Sequence, residues 1–371
     1  MDSLRNIGKE REMNPIRTAL KVDAEWPSGE KTDRPTAKNS VLEGGRAKAL
    51  SVSLLIATKN RADELALAMR SVLRQTELPA EIIILDQSPT DRGRTVIQWE
   101  FAASPSDAAR GIPLRYILDP SVPGTAAARN RLLDLAAGEV GLFIDDDSYL
   151  EPDFIEQMRN CYLDRSDIVG ISGMITNYKR PPWNARCWST IFDRGPFHDE
   201  RQPLYWNNKK LRGADPIRVR KFTGASMSFR MEVIRHLRFN ADLIGASREE
   251  DVDFCAMLDD RVLVIAPRAR LAHNKSPINR ARDHWLKEHA QSAYYLYRRH
   301  WKRGFKNRAC FAWLRIGYCV VVSVGCMKRS SLEPWRAFRA GMSKGVELTS
   351  GSANMTPAMA FSRRPEGNVE T

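Results

Sequence analysis

The feature that most constrains this chain is an alternation of two apolar textures between residues 51 and 163. Strand-length runs rich in β-branched residues recur as SVSLLIAT (51–58), EIIILD (81–86), LRYILD (114–119) and VGLFID (140–145). Interleaved with them, ADELALAMRSVLRQ (62–75), TAAARNRLLDLAA (125–137) and EPDFIEQMRNCYL (151–163) repeat apolar residues at helical spacing, the last with Pro152 near its first turn. Strands alternating with helices at this spacing predict an α/β fold built on a parallel, doubly wound sheet. Ligands of such sheets sit beyond the carboxyl ends of the strands, where Thr58, Asp86 and Asp145 fall.

Residues 174–221, rich in Trp, Pro, Arg and Asn, read as a long irregular segment. Regular signals return as a strand (KFTGASMSF, 221–229), a helix (REEDVDFCAML, 248–258) and a strand (RVLVIA, 261–266). A helix over roughly 281–303, an apolar segment at 310–327 and a short helix, EPWRAFRAGMSKG (333–345), complete the pattern. The net charge of +13 is not spread evenly. Residues 50–279 hold 31 basic and 31 acidic side chains, whereas 280–344 hold 15 basic against three acidic. That distribution excludes a generic nucleic-acid coat and predicts a local basic surface, with no nucleic acid as partner. Six scattered cysteines without a CxxC pair predict no disulfide framework and a reducing compartment. The first residues, MDSLRNIGKEREMNPIRT, contain no apolar run, so no secretory signal is expected.

Three clusters carry chemistry. Asp145, Asp146 and Asp147 follow VGLFI directly, and adjacent carboxylates at a strand end call for a positive counterpart. A hard divalent cation, Mg²⁺ or Mn²⁺, held between carboxylates and a substrate diphosphate would supply it; a solvated acidic turn is the plainer alternative. Glu249, Glu250 and Asp251, with Asp253 two residues on, offer a carboxylate that can remove a proton from a hydroxyl. At helical spacing Glu250 and Asp253 share a face and Asp251 points elsewhere. Pro123-Gly124-Thr125 leads into a helix of small residues, leaving room for a phosphate to approach backbone N–H groups, with Arg129 as cationic help.

Taken in order, these residues resemble a family 2 glycosyltransferase of the GT-A fold, over roughly 51–303. IATKNRADEL and IIILDQSPTD resemble the family's nucleotide-binding loops. PGTAAARNRLLDLAAGEVGLFIDDDSYLEPDFI resembles its helix, strand and DXD-type metal site. KFTGASMSFR resembles the sugar-pocket segment, REEDVDFC the base motif, and RVLVIAPRARLAH the closing strand and histidine. The resemblance implies an inverting, non-processive enzyme using a UDP- or GDP-linked sugar and an acceptor hydroxyl on a lipid-linked or polysaccharide-precursor glycan. It implies donor contacts from Thr58, Asn60, Arg61, Asp86, Gly124, Arg129, Asp145 and Asp146. Asp147 would be the direct metal ligand with Asp145 and His273 beside it, although His273 also fits a buried structural role. Asp251 would be the general base, supported by Glu250. Composition, charge and the resemblance together divide the chain into a disordered extension (1–49, a short docked helix being the alternative), a catalytic domain (50–280, with a nucleotide-binding half to 173 and an acceptor half from 174), a basic helical segment (281–345) and a flexible tail (346–371).

Two positions depart from the family pattern: Glu249 stands where Gly usually precedes the acidic pair, and Ser226 where Asn is common. The segment 310–327 falls short of the ~20 uninterrupted apolar residues of a membrane span and contains Arg315. Its basic flanks favour an anionic lipid surface, which predicts a cytoplasmic protein peripheral to the inner face of the membrane; a buried helix and a true span are the alternatives. The set Trp285, Tyr294, Tyr295, Tyr297, Arg298, Arg299 and Trp301 is expected either to border a lipid-linked acceptor or to serve packing. Two other enzyme classes compete. A haloacid-dehalogenase-type phosphatase also places Asp-x-Asp after a strand, but expects Thr or Val where Tyr149 stands. A sugar-nucleotide nucleotidyltransferase expects a Gly-rich opening that IATKNRAD lacks.

Overall fold

The computed structural model describes residues 50–104, 106–178, 181–198, 215–243, 249–276, 285–302 and 304–351. The predicted extension (1–49) and most of the predicted tail lie outside them. The chain runs β1 (Val52–Thr58), α1 (Ala62–Val72), β2 (Glu81–Asp86), α2 (Arg92–Ala102), α3 (Asp107–Arg110), β3 (Leu114–Leu118), α4 (Gly124–Leu135) and β4 (Val140–Asp145). It continues with β5 (Ser148–Leu150), α5 (Phe154–Asp164), β6 (Ile168–Ile175), α6 (Trp183–Phe192), β7 (Ile217–Val219), β8 (Ser226–Arg230) and α7 (Met231–Ile234). It ends with α8 (Glu250–Ala256), β9 (Val262–His273), α9 (Trp285–His300), α10 (Phe305–Arg329) and α11 (Glu333–Gly351).

The strands form one sheet in the order β3-β2-β1-β4-β8-β6-β9-β5, with β7 also on β9. The unbroken apolar runs are explained by burial on both faces. Val52, Leu54, Ile56, Ile82, Ile84, Leu142 and Ile144 face one core with α1 and α5. Leu55, Ile83, Leu85 and Phe143 face the other, with α4 and α8. Each such side chain removed from water contributes ~1.5–3 kcal/mol.

The first half of the sheet is parallel, as the alternation predicts, but the second half is mixed. β8 runs antiparallel between β4 and β6, while β5 and β7 run antiparallel to β9. The irregular segment expected at 174–221 begins inside a strand, since β6 runs from Ile168 to Ile175, and it contains α6 and β7. The division at residue 173 therefore cuts β6. The strand expected at 261–266 extends to His273 through a bulge: Gly173 pairs with Ala266, and Met174 with Arg270. Pro267 lies in the looped-out stretch, where it needs no ladder partner.

The C-terminal helices are longer than the sequence pattern suggests. The apolar segment belongs to a helix of 25 residues, α10, and the last helix has 19 residues. α11 lies against α9 at Gly341 and Gly345, where a Cβ would come within 2.2 Å of Lys287 O and 2.9 Å of Gln291 O. Small residues one turn apart allow that approach. All six cysteines are free.

Glu81, at the start of β2, ties three strands together. It accepts hydrogen bonds from Ser53 Oγ (2.6 Å), the Ala137 N–H (2.7 Å) and Arg115 Nη2 (2.6 Å). Burial works against its charge, but these donors hold its pKa below the usual carboxylate value. The native state therefore gains stability above the unfolded-state pKa and loses it as pH falls through the folded one. Glu81→Gln is expected to destabilise the protein by about 1–2 kcal/mol at neutral pH. In urea titrations that gap should narrow and close as pH falls through the folded-state pKa, where the wild-type carboxylate is also protonated.

Candidate active site

The carboxyl ends of β1, β2 and β4 converge because the strands are parallel neighbours, Thr58 pairing with Asp86 and Ala57 with Asp145. The three aspartates at the end of β4, of which Asp145 is its last residue, then diverge. Asp146 turns inward and accepts hydrogen bonds from Thr58 Oγ1 at 2.7 Å and Arg61 Nη1 at 2.9 Å. Burial pushes its pKa up to about 6 against the pull of Arg61. It is a strut that fixes the loop after β1. Asp147 is fully buried, and its Oδ2 accepts the Ser276 N–H at 2.8 Å. Asp145 is the most open of the three and accepts from Arg129 Nη2 at 3.1 Å.

His273 reaches this place from the far side of the sheet. The β5–β9 register sets Ser148 opposite His273, which brings Nε2 to 3.0 Å from Asp147 Oδ1 and 3.8 Å from Asp145 Oδ2. One ligand atom from each of Asp145, Asp147 and His273 lies within 4.8 Å of the others. His273 Nε2 is buried there without an aligned hydrogen bond, facing two carboxylates. Two carboxylates and an imidazole converging in this way fit a divalent cation.

Arg129 joins this cluster to the acidic helix. Only 4% of its side chain is exposed; Nη1 donates to Glu250 Oε1 at 2.8 Å, and Nη2 to Asp145 and to Gly224 O at 3.4 Å. Burial opposes its charge, but Glu250, Asp145 and Asp251 outweigh it and raise its pKa further. A Cβ at Gly224 would lie 2.7 Å from Arg129 Nη2, so the guanidinium occupies that space. Burial, reinforced by Asp251, raises the Glu250 pKa, with Arg129 pulling the other way. Asp251 is buried beside it, and its Oδ1 accepts the Val252 N–H at 2.8 Å.

Glu249, which caps α8, has φ 79° and ψ 15°. That left-handed backbone explains why glycine suits this position and why glutamate is a departure. Glu249→Gly is expected to raise stability by roughly 0.5–1 kcal/mol once glycine's extra unfolded-state entropy is subtracted. Thermal unfolding of the two proteins checks this.

Glu250 and Asp253 were expected to share a face, yet their side chains serve different partners. Asp253 is wholly buried, its Oδ1 lying 2.6 Å from His300 Nε2 and 3.8 Å from Arg299 Nε on α9. Part of the basic segment is thus used inside the protein. Rings of the aromatic set on and just after α9 pack within the protein: Tyr297 stacks on Phe311 with centroids 4.1 Å apart, Trp301 meets Phe197, and buried Tyr295 accepts from Asn240 Nδ2 at 2.7 Å, while Arg298 is exposed. The Trp285 side chain lies outside the described positions.

The residues expected to cradle the nucleotide do gather at the β1 and β2 ends. Asp86 is buried and accepts from Ser88 N (2.8 Å), Ser88 Oγ and the Tyr116 hydroxyl. The Asn60 N–H donates to Ser88 Oγ at 2.7 Å, while its side chain is exposed. Thr58 and Arg61 are turned towards Asp146, as above. Gly124 opens α4 at φ 73° with open space where a Cβ would stand. Ser226 is buried, with its Oγ accepting the Gly173 N–H at 3.4 Å. A cleft of about 260 Å³ opens beside the Asp145, Asp147 and His273 group, lined by Asp145, Tyr178, Thr223, Gly224, His273 and Lys275. Tyr178, Lys275, Ser276 and His300 were not anticipated. Lys275 had a visible signal, two residues beyond the closing histidine; the others had none.

Residues 53–238 match the family described as glycosyl transferase family 2, which is half of the chain. The chain belongs to glycosyl transferase family 2. Among curated relatives of this family 2 protein, putative glycosyltransferase EpsH of Bacillus subtilis is 31% identical over 120 residues, 32% of each chain. The glucosyl-dolichyl phosphate glucuronosyltransferase of Haloferax volcanii is 25% identical over 189 residues, 50% of this chain and 54% of that one. The matches therefore span about a third to a half of these relatives' lengths. Among solved structures, TarS 1–349 of S. aureus superposes with a TM-score of 0.51 at 15% identity, covering 81% of this chain and 83% of TarS. Its complex with UDP-GlcNAc gives 0.51 at 12% identity, covering 81% and 82%. These likenesses establish the GT-A architecture. The family match leaves the phosphatase and nucleotidyltransferase alternatives without support.

Proposed function

We propose that this family 2 protein is a metal-dependent, inverting glycosyltransferase that moves one sugar from a uridine or guanosine diphosphate sugar to an acceptor hydroxyl. The shared guanidinium of Arg129, bonded at once to Asp145 and to Glu250, carries this reading. It couples the metal cluster to the acidic helix within one buried network, so donor and base are set at a fixed spacing. Asp145, Asp147 and His273 hold the cation; the carboxylates suit Mg²⁺ and Mn²⁺ alike, and the imidazole favours Mn²⁺. When bound, that ion offsets negative charge on the departing diphosphate.

The remaining work falls to side chains. Asp251 takes the proton of the acceptor hydroxyl, whose oxygen forms the new bond to the anomeric carbon. The old bond to the diphosphate oxygen breaks with its electron pair leaving on the nucleoside diphosphate, and attack from the opposite face inverts the configuration. Glu250 fixes Arg129, and Lys275, which lines the cleft, is the cation assigned to a diphosphate oxygen. The base and ribose lie along Asn60 and the backbone braced by Asp146 and Asp86. A lipid-linked or polysaccharide-precursor glycan is the acceptor this reading favours, in keeping with a relative named for glucosyl-dolichyl phosphate.

A panel of nucleotide sugars tests this by thermal shift and by release of nucleoside diphosphate, with and without Mn²⁺. At least one uridine or guanosine diphosphate sugar is expected to raise the melting temperature and to be cleaved only with metal. No shift and no cleavage across the panel would reject the assignment.

A further inference from the structure

α10 carries two apolar faces, and the protein covers one of them. Phe311, Leu314 and Val322 face inward, where Tyr297 stacks on Phe311 and Trp188 Nε1 donates to Gly317 O at 2.9 Å. On the opposite side Phe305, Trp313, Ile316, Val320, Val324 and Met327 are exposed, Phe305 by 90% and Met327 by 72%. From Trp313 to Met327 they follow one another at three and four residues, and Phe305 stands eight residues before Trp313, so all six fall on one stripe of the helix. Trp313 Nε1 donates to Ile191 O at 2.8 Å, so the stripe continues onto α6, where Ile191 and Trp183 are also exposed.

Charge identifies the occupant. α10 contains no acidic residue, and its ends carry Lys306, Arg308, Lys328 and Arg329, all exposed. Arg336 and Arg339 on α11 are exposed as well. An apolar band bounded by cations complements a surface of acyl chains beneath anionic headgroups. A span is disfavoured although α10 alone, among the described residues, is long and apolar enough for one. Crossing would strip Phe311, Leu314 and Val322 from their partners and carry Arg315 to mid-depth, whereas a helix lying flat keeps both in place.

We infer that α10, with the neighbouring end of α6, docks flat on an anionic membrane surface, its stripe inserted among acyl chains. This stands apart from the donor chemistry. A chain of contacts links it to the site: α9 meets α10 through Tyr297 and Phe311 and meets α8 through His300 and Asp253.

Flotation of the full chain tests it, with vesicles of phosphatidylcholine alone or containing roughly one part in four phosphatidylglycerol. The wild type is expected to float with the anionic vesicles and not with the neutral ones. Ile316→Gln with Val320→Gln, and separately Lys306→Glu with Lys328→Glu, should each lower the bound fraction roughly tenfold or more without changing the melting temperature. Failure of the wild type to float overturns the inference, as does equal flotation of both variants. A lipid-free dimer that the Ile316/Val320 variant dissociates, with no flotation, would assign the stripe to a second copy instead. Retention in membranes through alkaline carbonate extraction would assign it to a span.

Discussion

Asp251→Asn is expected to bind the nucleotide sugar almost as the wild type does and to transfer the sugar ~10²–10⁴-fold more slowly. The carboxylate is lost as a proton acceptor, while the amide keeps nearly the same shape and still accepts the Val252 N–H through its oxygen. The network around Arg129 stays closed, because Glu250 and Asp145 remain its partners. Isothermal titration of the donor and single-turnover transfer separate the two quantities. Glu250→Gln provides the contrast. Its amide oxygen can still accept from Arg129, so a loss of only ~10-fold is expected, as for a positioning residue. If Glu250→Gln shows the deep loss and Asp251→Asn the shallow one, the roles of the two carboxylates are exchanged.

Asp147→Asn should separate metal binding from folding. Asp147 is buried, and its bond from the Ser276 N–H survives the change because an amide oxygen also accepts. One of three neighbouring negative charges disappears, so the melting temperature is expected to hold or to rise. Mn²⁺ binding in the presence of UDP or GDP should weaken by more than the ~10–100-fold typical of lost outer partners, since a direct ligand is removed. Calorimetry reads this without any turnover. Undiminished Mn²⁺ binding would remove Asp147 from the ligand set.

Much of the first half of the molecule was legible because local rules decided it. The runs VSLLIAT, EIIILD and VGLFID are apolar on both faces, and only a sheet covered on both sides satisfies them. Asp145 ends β4 and Asp146 and Asp147 follow it, so their place at the carboxyl edge came with the strand. The second half was less legible. β6 escaped notice because IVGISGMI contains two glycines and a serine, and its strand character depends on lying between β8 and β9. α6 was hidden in a segment without clear periodicity, since its apolar residues serve α10, more than a hundred residues later. The aromatic run on α9 fits packing or an acceptor border equally in sequence; its packing partners, such as Phe197 and Phe311, lie on distant segments that no local spacing points to.

What sequence alone determined is which chemical groups are present and in what order: a trio of aspartates at a strand end, an acidic pair at a helix start, and the α/β alternation that carries them. Tertiary structure decided which of these groups work together. Arg129 and Glu250 are 121 residues apart, and His273 lies far along the chain from Asp147. A bulge in β9, an antiparallel β5 and a left-handed Glu249 bring them into reach. Those placements arise from long-range strand pairing and burial, for which no local spacing in the chain is a sign.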